Sequence, residues 1–85
     1  MLLSIIIPVY NVEQFIEECL DSVCTQSFAD WEAICVNDGS TDCSLSLLQE
    51  FASRDSRIHV VSQSNAGLSA TRNTGLKAAN GEYVL

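Results

Sequence analysis

Alternation constrains this chain more than any other feature: short β-branched apolar runs take turns with stretches of helical period. "SIIIPV" (Ser4–Val9), "WEAICV" (Trp31–Val36) and "IHVVS" (Ile58–Ser62) have strand length, and "EYVL" (Glu82–Leu85) begins a fourth run. Such runs suit strands buried on both faces of a parallel sheet. After Asn11, the residues Val12, Phe15, Ile16, Cys19, Leu20 and Val23 form an i, i+3, i+4, i+7 stripe opposite Glu13, Glu17, Glu18 and Asp21. Asn11 reads as the N-cap of that helix, with Gln14 at capping-box spacing. Leu45, Leu48, Phe51 and Ala52 recur helically within 43–54. Leu68, Gly75, Leu76 and Ala79 share a face of 68–80, which stops at Asn80-Gly81. The order β-α-β-α-β-α-β predicts right-handed crossovers and a three-layer α/β/α parallel sheet. Strand one is expected at the centre, flanked by two and four, with strand three outside two.

At 85 residues the chain is one domain at most, spanning 1–85 without a linker or repeat. A fourth strand with no covering helix reads as the first half of a nucleotide-binding domain. The formal net charge of −7 opposes binding to nucleic acid or anionic membrane, since both reward basic patches. Cys19, Cys24, Cys35 and Cys43 include no CxxC pair. Cys19 on the helical stripe and Cys35 in a strand read as buried reduced thiols, which suits a reducing compartment. No signal-peptide pattern opens the chain, and no run approaches the ~20 apolar residues of a membrane span. The expectation is a soluble, cytoplasmic chain without a transmembrane segment.

An open parallel sheet binds its ligands outside the carboxyl ends of its strands. Three predicted exits lie there: Pro8-Val9-Tyr10-Asn11, Asn37 to Asp42, and Ser62 to Gly67. None is a glycine-rich GxGxxG or P-loop cradle, so side chains would hold a nucleotide. Tyr10 could stack on a base or simply sit at the sheet rim. Asp38 could accept from an imide or ribose donor, or close an Asx-turn. Arg72, at i+4 from Leu68 and i−4 from Leu76, is expected on the helix face toward the sheet. A guanidinium there needs an ion pair with Asp38, or a carboxylate together with a ligand phosphate.

"SIIIPVYN", "VNDGSTD" and "NAGLSATRNTGLKAANGEY", in this order, resemble the family 2 glycosyltransferases over essentially the whole chain. The resemblance implies the GT-A fold, a Rossmann-like nucleotide-diphospho-sugar transferase architecture, of which this chain would be a half-domain. It implies that Pro8, Tyr10 and Asn11 line the nucleotide pocket, that Asp38 reads the base, and that Arg72 lies near the diphosphate. Asp42 would cap the second helix, while Asn73 and Gly75 would serve packing. Thr71 departs from the family's frequent Ala. The implied activity is inverting hexosyl transfer from a nucleotide-sugar donor, UDP-linked, to a saccharide or lipid-linked acceptor. That chemistry belongs to cell-surface polysaccharide synthesis, in the cytoplasm or at the inner face of the membrane. In the family a D-x-D motif holds Mg2+ or Mn2+ on the diphosphate. It is expected beyond Leu85, so this chain is expected to hold no metal, to carry no catalytic residue and to be inactive alone. The alternative is a non-catalytic nucleotide-binding or interaction module of the same fold. A sugar-nucleotide pyrophosphorylase is disfavoured, because "PVYN" is not its Gly- and Arg-rich loop.

Overall fold

The computed structural model describes residues 2–26, 29–81 and 83–84, the last two by backbone alone. Along the chain run β1 (Leu3–Val9), α1 (Glu13–Thr25), β2 (Trp31–Asp38), α2 (Ser44–Arg54), β3 (Ile58–Gln63), α3 (Leu68–Ala78) and β4 (Tyr83–Val84). The strands pair in parallel in the order β3-β2-β1-β4. Strand one is central and strand three lies outside two, as the sequence predicts. Glu82 and Leu85, which the sequence also assigns to the fourth strand, lie outside the described residues.

All eight residues of β2 are buried, because helices cover both of its faces. Ile16 and Leu20 of α1 and Leu48 and Phe51 of α2 close over Val9, Trp31, Ala33, Cys35 and Ile58. Complete burial of a side chain such as Leu20 or Leu48 contributes about 1.5–3 kcal/mol. Beneath the other face lies α3, and there the approach is close. A Cβ on Gly75 would come within 2.5 Å of Ile6 Cγ2. No bulky stripe fits in that gap, so Thr71 and Gly75 face the sheet, and Leu68 and Leu76 remain 57% and 52% exposed. Arg72 belongs to the outer stripe and is exposed, contrary to its expected inward placement. Asn73 is exposed as well, whereas Gly75 does serve packing.

The start of α1 also differs from expectation. Its first residue is Glu13 and its N-cap is Val12, which makes no side-chain capping bond. Asn11 instead takes a left-handed φ of 49° and sends its side chain across to the next loop. Cys19, expected inside, is exposed together with the 57%-exposed Phe15. The helix buries only the Ile16–Leu20 edge of its apolar stripe. Cys35 is buried as expected, and all four thiols are free.

Pro8 in a central strand looks anomalous, since proline cannot donate to a ladder. Leu3 N–H donates to Asp30 O on the β2 side, so the even residues of β1 direct their backbone groups toward β4. The described β4 pairs Leu3 and Ser4, well before Pro8, so the missing donor breaks none of those bonds.

At the amino edge, Glu32 sits among β strands with 5% exposure. Its Oε2 accepts from Ser4 Oγ at 2.5 Å and Asn80 N at 2.6 Å, and Oε1 lies 3.7 Å from His59 Nε2. Gly81 N donates to Ser4 Oγ at 2.8 Å. These bonds moor the turn between α3 and β4 to the sheet. On the same edge the Arg57 guanidinium stacks 3.9 Å from the Trp31 ring centre and pairs with Asp55. That pairing holds the Asp55 carboxyl down to about 2.

Candidate functional site

Asp38 is the last residue of β2, two residues further along the strand than the apolar run suggests. The strand is extended because Asn37 and Asp38 continue the ladder against Ser62 and Gln63. Asn37 Nδ2 also donates to Ser62 Oγ at 3.1 Å. A strand end holds its side chain more firmly than a loop would. The local side-chain turn bond in this loop comes from Asn37 rather than Asp38, its Oδ1 accepting from Ser40 N, three residues on, at 3.3 Å. The carboxylate of Asp38 works across the sheet edge. Oδ1 accepts from Ala66 N at 2.8 Å and Gln63 Nε2 at 3.0 Å, and Oδ2 accepts from Gly67 N at 3.0 Å. Asn65 Nδ2 donates to Asp38 O at 3.0 Å and to Oδ2 at 3.4 Å. Gln63 foremost, then Ala66 N and Gly67 N, with a smaller contribution from Thr71, keep the acid below the usual carboxylate range despite the opposing effect of burial.

The other two exits are sewn to each other. Asn11 Oδ1 accepts from Thr41 N at 2.8 Å, and Asn11 N donates to Ser40 Oγ at 3.1 Å. Val12 N donates to Ser44 Oγ at 3.1 Å, and Glu13 N to Asp42 Oδ2 at 3.2 Å. In return Glu13 Oε2 accepts from Cys43 N at 3.1 Å. The Val12 and Glu13 N–H groups at the start of α1 are therefore satisfied from Ser44 and Asp42, whereas Phe15 N donates locally to Val12 O. Asp42 serves both helices, since its Oδ1 accepts from Ser44 N at 2.9 Å. The N-cap of α2 is Cys43, not Asp42 as expected, and Asp42 meets the first N–H of the helix from one residue further back.

These constraints leave a cavity of about 360 Å³ at the carboxyl edge, lined by Pro8, Val9, Tyr10, Val12, Asp38, Asn65, Gly67 and Leu68. Its walls are mainly apolar, with one carboxylate and one amide among the lining residues. Tyr10 is 51% exposed, so its ring is accessible. The structure therefore brings Pro8, Tyr10 and Asp38 together. Asn11 does not line this cavity, because its side chain is spent on Thr41. Arg72 lies outside the lining too, and forms no ion pair with Asp38 or any other described carboxylate. Asn65, Gly67 and Leu68 were not singled out from sequence. The signal was the third exit, whose polar loop lies at the same edge.

The acidic groups near the edge do not fit a divalent cation. Asp42 and Glu13 are committed to backbone N–H groups, and Asp38 to the β3–α3 loop. Among the described residues no three His, Cys, Asp or Glu side chains gather as metal ligands would. Among the same residues, no helix is long and apolar enough to cross a membrane.

Comparison with known proteins gives this geometry a context. The family model described as Glycosyl transferase family 2 matches residues 4–85. An uncharacterized glycosyltransferase, EpsJ of Bacillus subtilis (strain 168), is 55% identical over 83 residues, covering 98% of this chain and 24% of that protein. A poly(ribitol-phosphate) beta-glucosyltransferase of Bacillus spizizenii is 44% identical over 89 residues, covering 100% of this chain and 14% of its own. Among solved structures, S. aureus TarS 1–349 in complex with UDP aligns with a TM-score of 0.90 at 36% identity. That alignment covers 100% of this chain and 26% of TarS 1–349. The mannosyltransferase PcManGT from Pyrobaculum calidifontis, in complex with GDP-Man and Mn2+, gives 0.89 at 30% identity, covering 96% of this chain and 25% of that one. The chain thus spans about a quarter or less of the length of these relatives.

Proposed function

Because the chain belongs to glycosyl transferase family 2, we propose that its carboxyl-edge cavity holds the nucleotide of a UDP-sugar donor. The hexose would pass, with inversion, to a saccharide or lipid-linked acceptor in cell-surface polysaccharide synthesis. One observation carries the reading: residues from all three strand exits, Pro8 and Tyr10, then Asp38, then Asn65 and Gly67, line one cavity. About 360 Å³ lies in the range of small-ligand sites, roughly 300–1,000 Å³. The relatives' names support the class of activity, and TarS 1–349 in complex with UDP supports a uridine nucleotide.

Each residue has a physical task in this reading. Pro8 and Val9 form an apolar floor, and the exposed Tyr10 ring supplies a face for stacking on a base. Asp38, kept ionised by its donors, accepts the imide N–H that uracil presents. Asn11 holds the first two exits in register without touching the ligand. Arg72 sits one helical turn beyond Leu68, a lining residue, and offers the bidentate cation that phosphate favours. Local cations matter here, because the chain as a whole carries −7. Four free thiols suit a reducing compartment, which supports work on the cytoplasmic side of the membrane.

Calorimetric titration with UDP and CDP tests the assignment. Cytosine carries a bare ring nitrogen where uracil has its imide N–H, so a buried acceptor should reject it. UDP should bind at least about tenfold more tightly than CDP, and Asp38→Ala should erase that difference. Equal binding of the two nucleotides by the unaltered protein would remove Asp38 as the reader of the base.

A further inference from the structure

Asp38 has no unused acceptor position. A carboxylate offers about four lone-pair sites. Here Oδ1 takes Ala66 N and Gln63 Nε2, and Oδ2 takes Gly67 N and, at 3.4 Å, Asn65 Nδ2. Three of these donors belong to the β3–α3 loop. The fourth is different, because Gln63 ends β3 and is gripped from its other side. Thr74 Oγ1, in the middle of α3, lies 2.6 Å from Gln63 Oε1.

The amide has one donor end and one acceptor end, and the carboxylate decides which faces it. With Nε2 toward Asp38, Oε1 must face Thr74. The single hydroxyl proton of Thr74 must then be given to Gln63 rather than to Ala70 O, 3.0 Å away. One ionised oxygen orients the amide, and the amide orients the hydroxyl. The anchor of this series is firm, because the neighbouring Gly75 seats α3 directly on Ile6 and leaves no room to slide.

We propose that Thr74 and Gln63 are positioning residues for Asp38, aiming its carboxylate at the base so that nucleotide discrimination depends on the seat of α3. The proposal rests on the nucleotide reading of the cavity. A base N–H reaches Oδ2 by replacing the longest of the four bonds, that of Asn65, which also lines the cavity. Gln63 meanwhile retains Oδ1. Without Gln63 the carboxylate is free to turn about its last torsion, and the vacated Oδ1 competes with Oδ2 for the ligand. Without the Thr74 hydroxyl, the amide loses the bond that fixes and polarises its far end, and its Nε2 is held against Oδ1 less firmly.

The test has one arm that needs no ligand. The Asp38 carboxyl is titrated by 13C NMR in the unaltered protein and in Gln63→Leu, Thr74→Val and Thr74→Ser. The first two variants should raise the Asp38 pKa, Gln63→Leu the more, and Thr74→Ser should restore it. In the second arm UDP and CDP are titrated by calorimetry. Loss of an aimed, charge-assisted bond predicts UDP binding weaker by on the order of tenfold in Gln63→Leu, with CDP unchanged. An unmoved Asp38 pKa in Gln63→Leu and Thr74→Val overturns the relay, whatever the nucleotides do. A raised pKa with an unchanged UDP-to-CDP ratio overturns its role in recognition. If the unaltered protein binds no UDP, the cavity's assignment and the relay's role in recognition both fail, and the NMR arm still decides whether the relay exists. Should Gln63→Leu fail to fold, the Thr74→Val and Thr74→Ser pair carries both arms, because the first removes the hydroxyl at nearly constant volume and the second retains it.

Discussion

Replacing Glu32 probes how a buried charge holds the amino edge together. Ser4 is fully buried and its hydroxyl donates to Glu32 Oε2 at 2.5 Å, while Asn80 N donates to the same oxygen at 2.6 Å. In Glu32→Ala both donors lose their acceptor, at about 1–3 kcal/mol each, and relief of the carboxylate's own desolvation offsets part of that. The net expectation is a loss of about 3 kcal/mol. Glu32→Gln retains one oxygen where the two donors converge but gives up the charge, so it should cost about 1 kcal/mol, or roughly 4–8 °C in melting temperature. Burial pushes the Glu32 pKa up, but the bonds from Ser4 and Asn80 outweigh it and leave it below the ordinary value. A carboxyl depressed on folding adds stability above its unfolded pKa of about 4.3, and that stability is lost as pH falls through the folded value. Glu32→Gln should therefore lose less stability than the unaltered protein below about pH 4. Urea unfolding across pH, with amide exchange at Asn80 and Gly81, measures all of this. An alanine variant within about 0.5 kcal/mol of the unaltered protein, or identical acid slopes for the two proteins, would refute the reasoning.

Gly81→Ala should destabilise by about 2 kcal/mol or more, because its Cβ would meet two backbone atoms, Leu2 O and Ser4 N, at 2.8 Å; scanning calorimetry reads the loss. Asp42→Ala unties the Glu13 and Ser44 N–H groups at once and should lower the melting temperature, with faster amide exchange at both residues. Glu13 holds the exposed Cys43 thiol above its ordinary pKa, through a hydrogen bond and its charge. Glu13→Gln should thus speed alkylation of Cys43 at pH 8, followed by peptide mass spectrometry, and an unchanged rate would discount that coupling.

Strand order and helix placement were legible because period and length carry them. "SIIIPV" and "WEAICV" could hardly be anything but interior strands, and the right-handed crossover rule supplied the sheet. The misreadings arose where two stripes share one helix. On α3 the bulky Leu68–Arg72–Leu76 line and the small Thr71–Gly75 line lie about 100° apart. Hydropathy favours the first, but the available gap beneath Ile6 admits the second. A similar limit applies to Asn11, whose composition fits an N-cap while its partner, Thr41, lies 30 residues away. Local pattern does not contain that distance. Glu32 is itself a signal in the sequence, since a carboxylate inside an apolar strand requires donors from other segments. Asp38 was identifiable by its place at a strand end. Its saturation by Gln63, Asn65, Ala66 and Gly67 depends on how two loops meet, and no spacing encodes it.

The bonds that knit the carboxyl edge together share one property with consequences for how the chain reaches its fold. Those joining the first exit to the second span 29–32 residues, and those from Asp38 to the third span 25–29. The ladders they cap span the same distances, 28 residues from β1 to β2 and 25 from β2 to β3, so strand pairs and edge bonds close the same loops. Neither returns energy until a whole βα unit has closed. Once a strand pair is in register, the bonds at its carboxyl end add almost no further closure cost, and the walls of the cavity come with the scaffold that carries them.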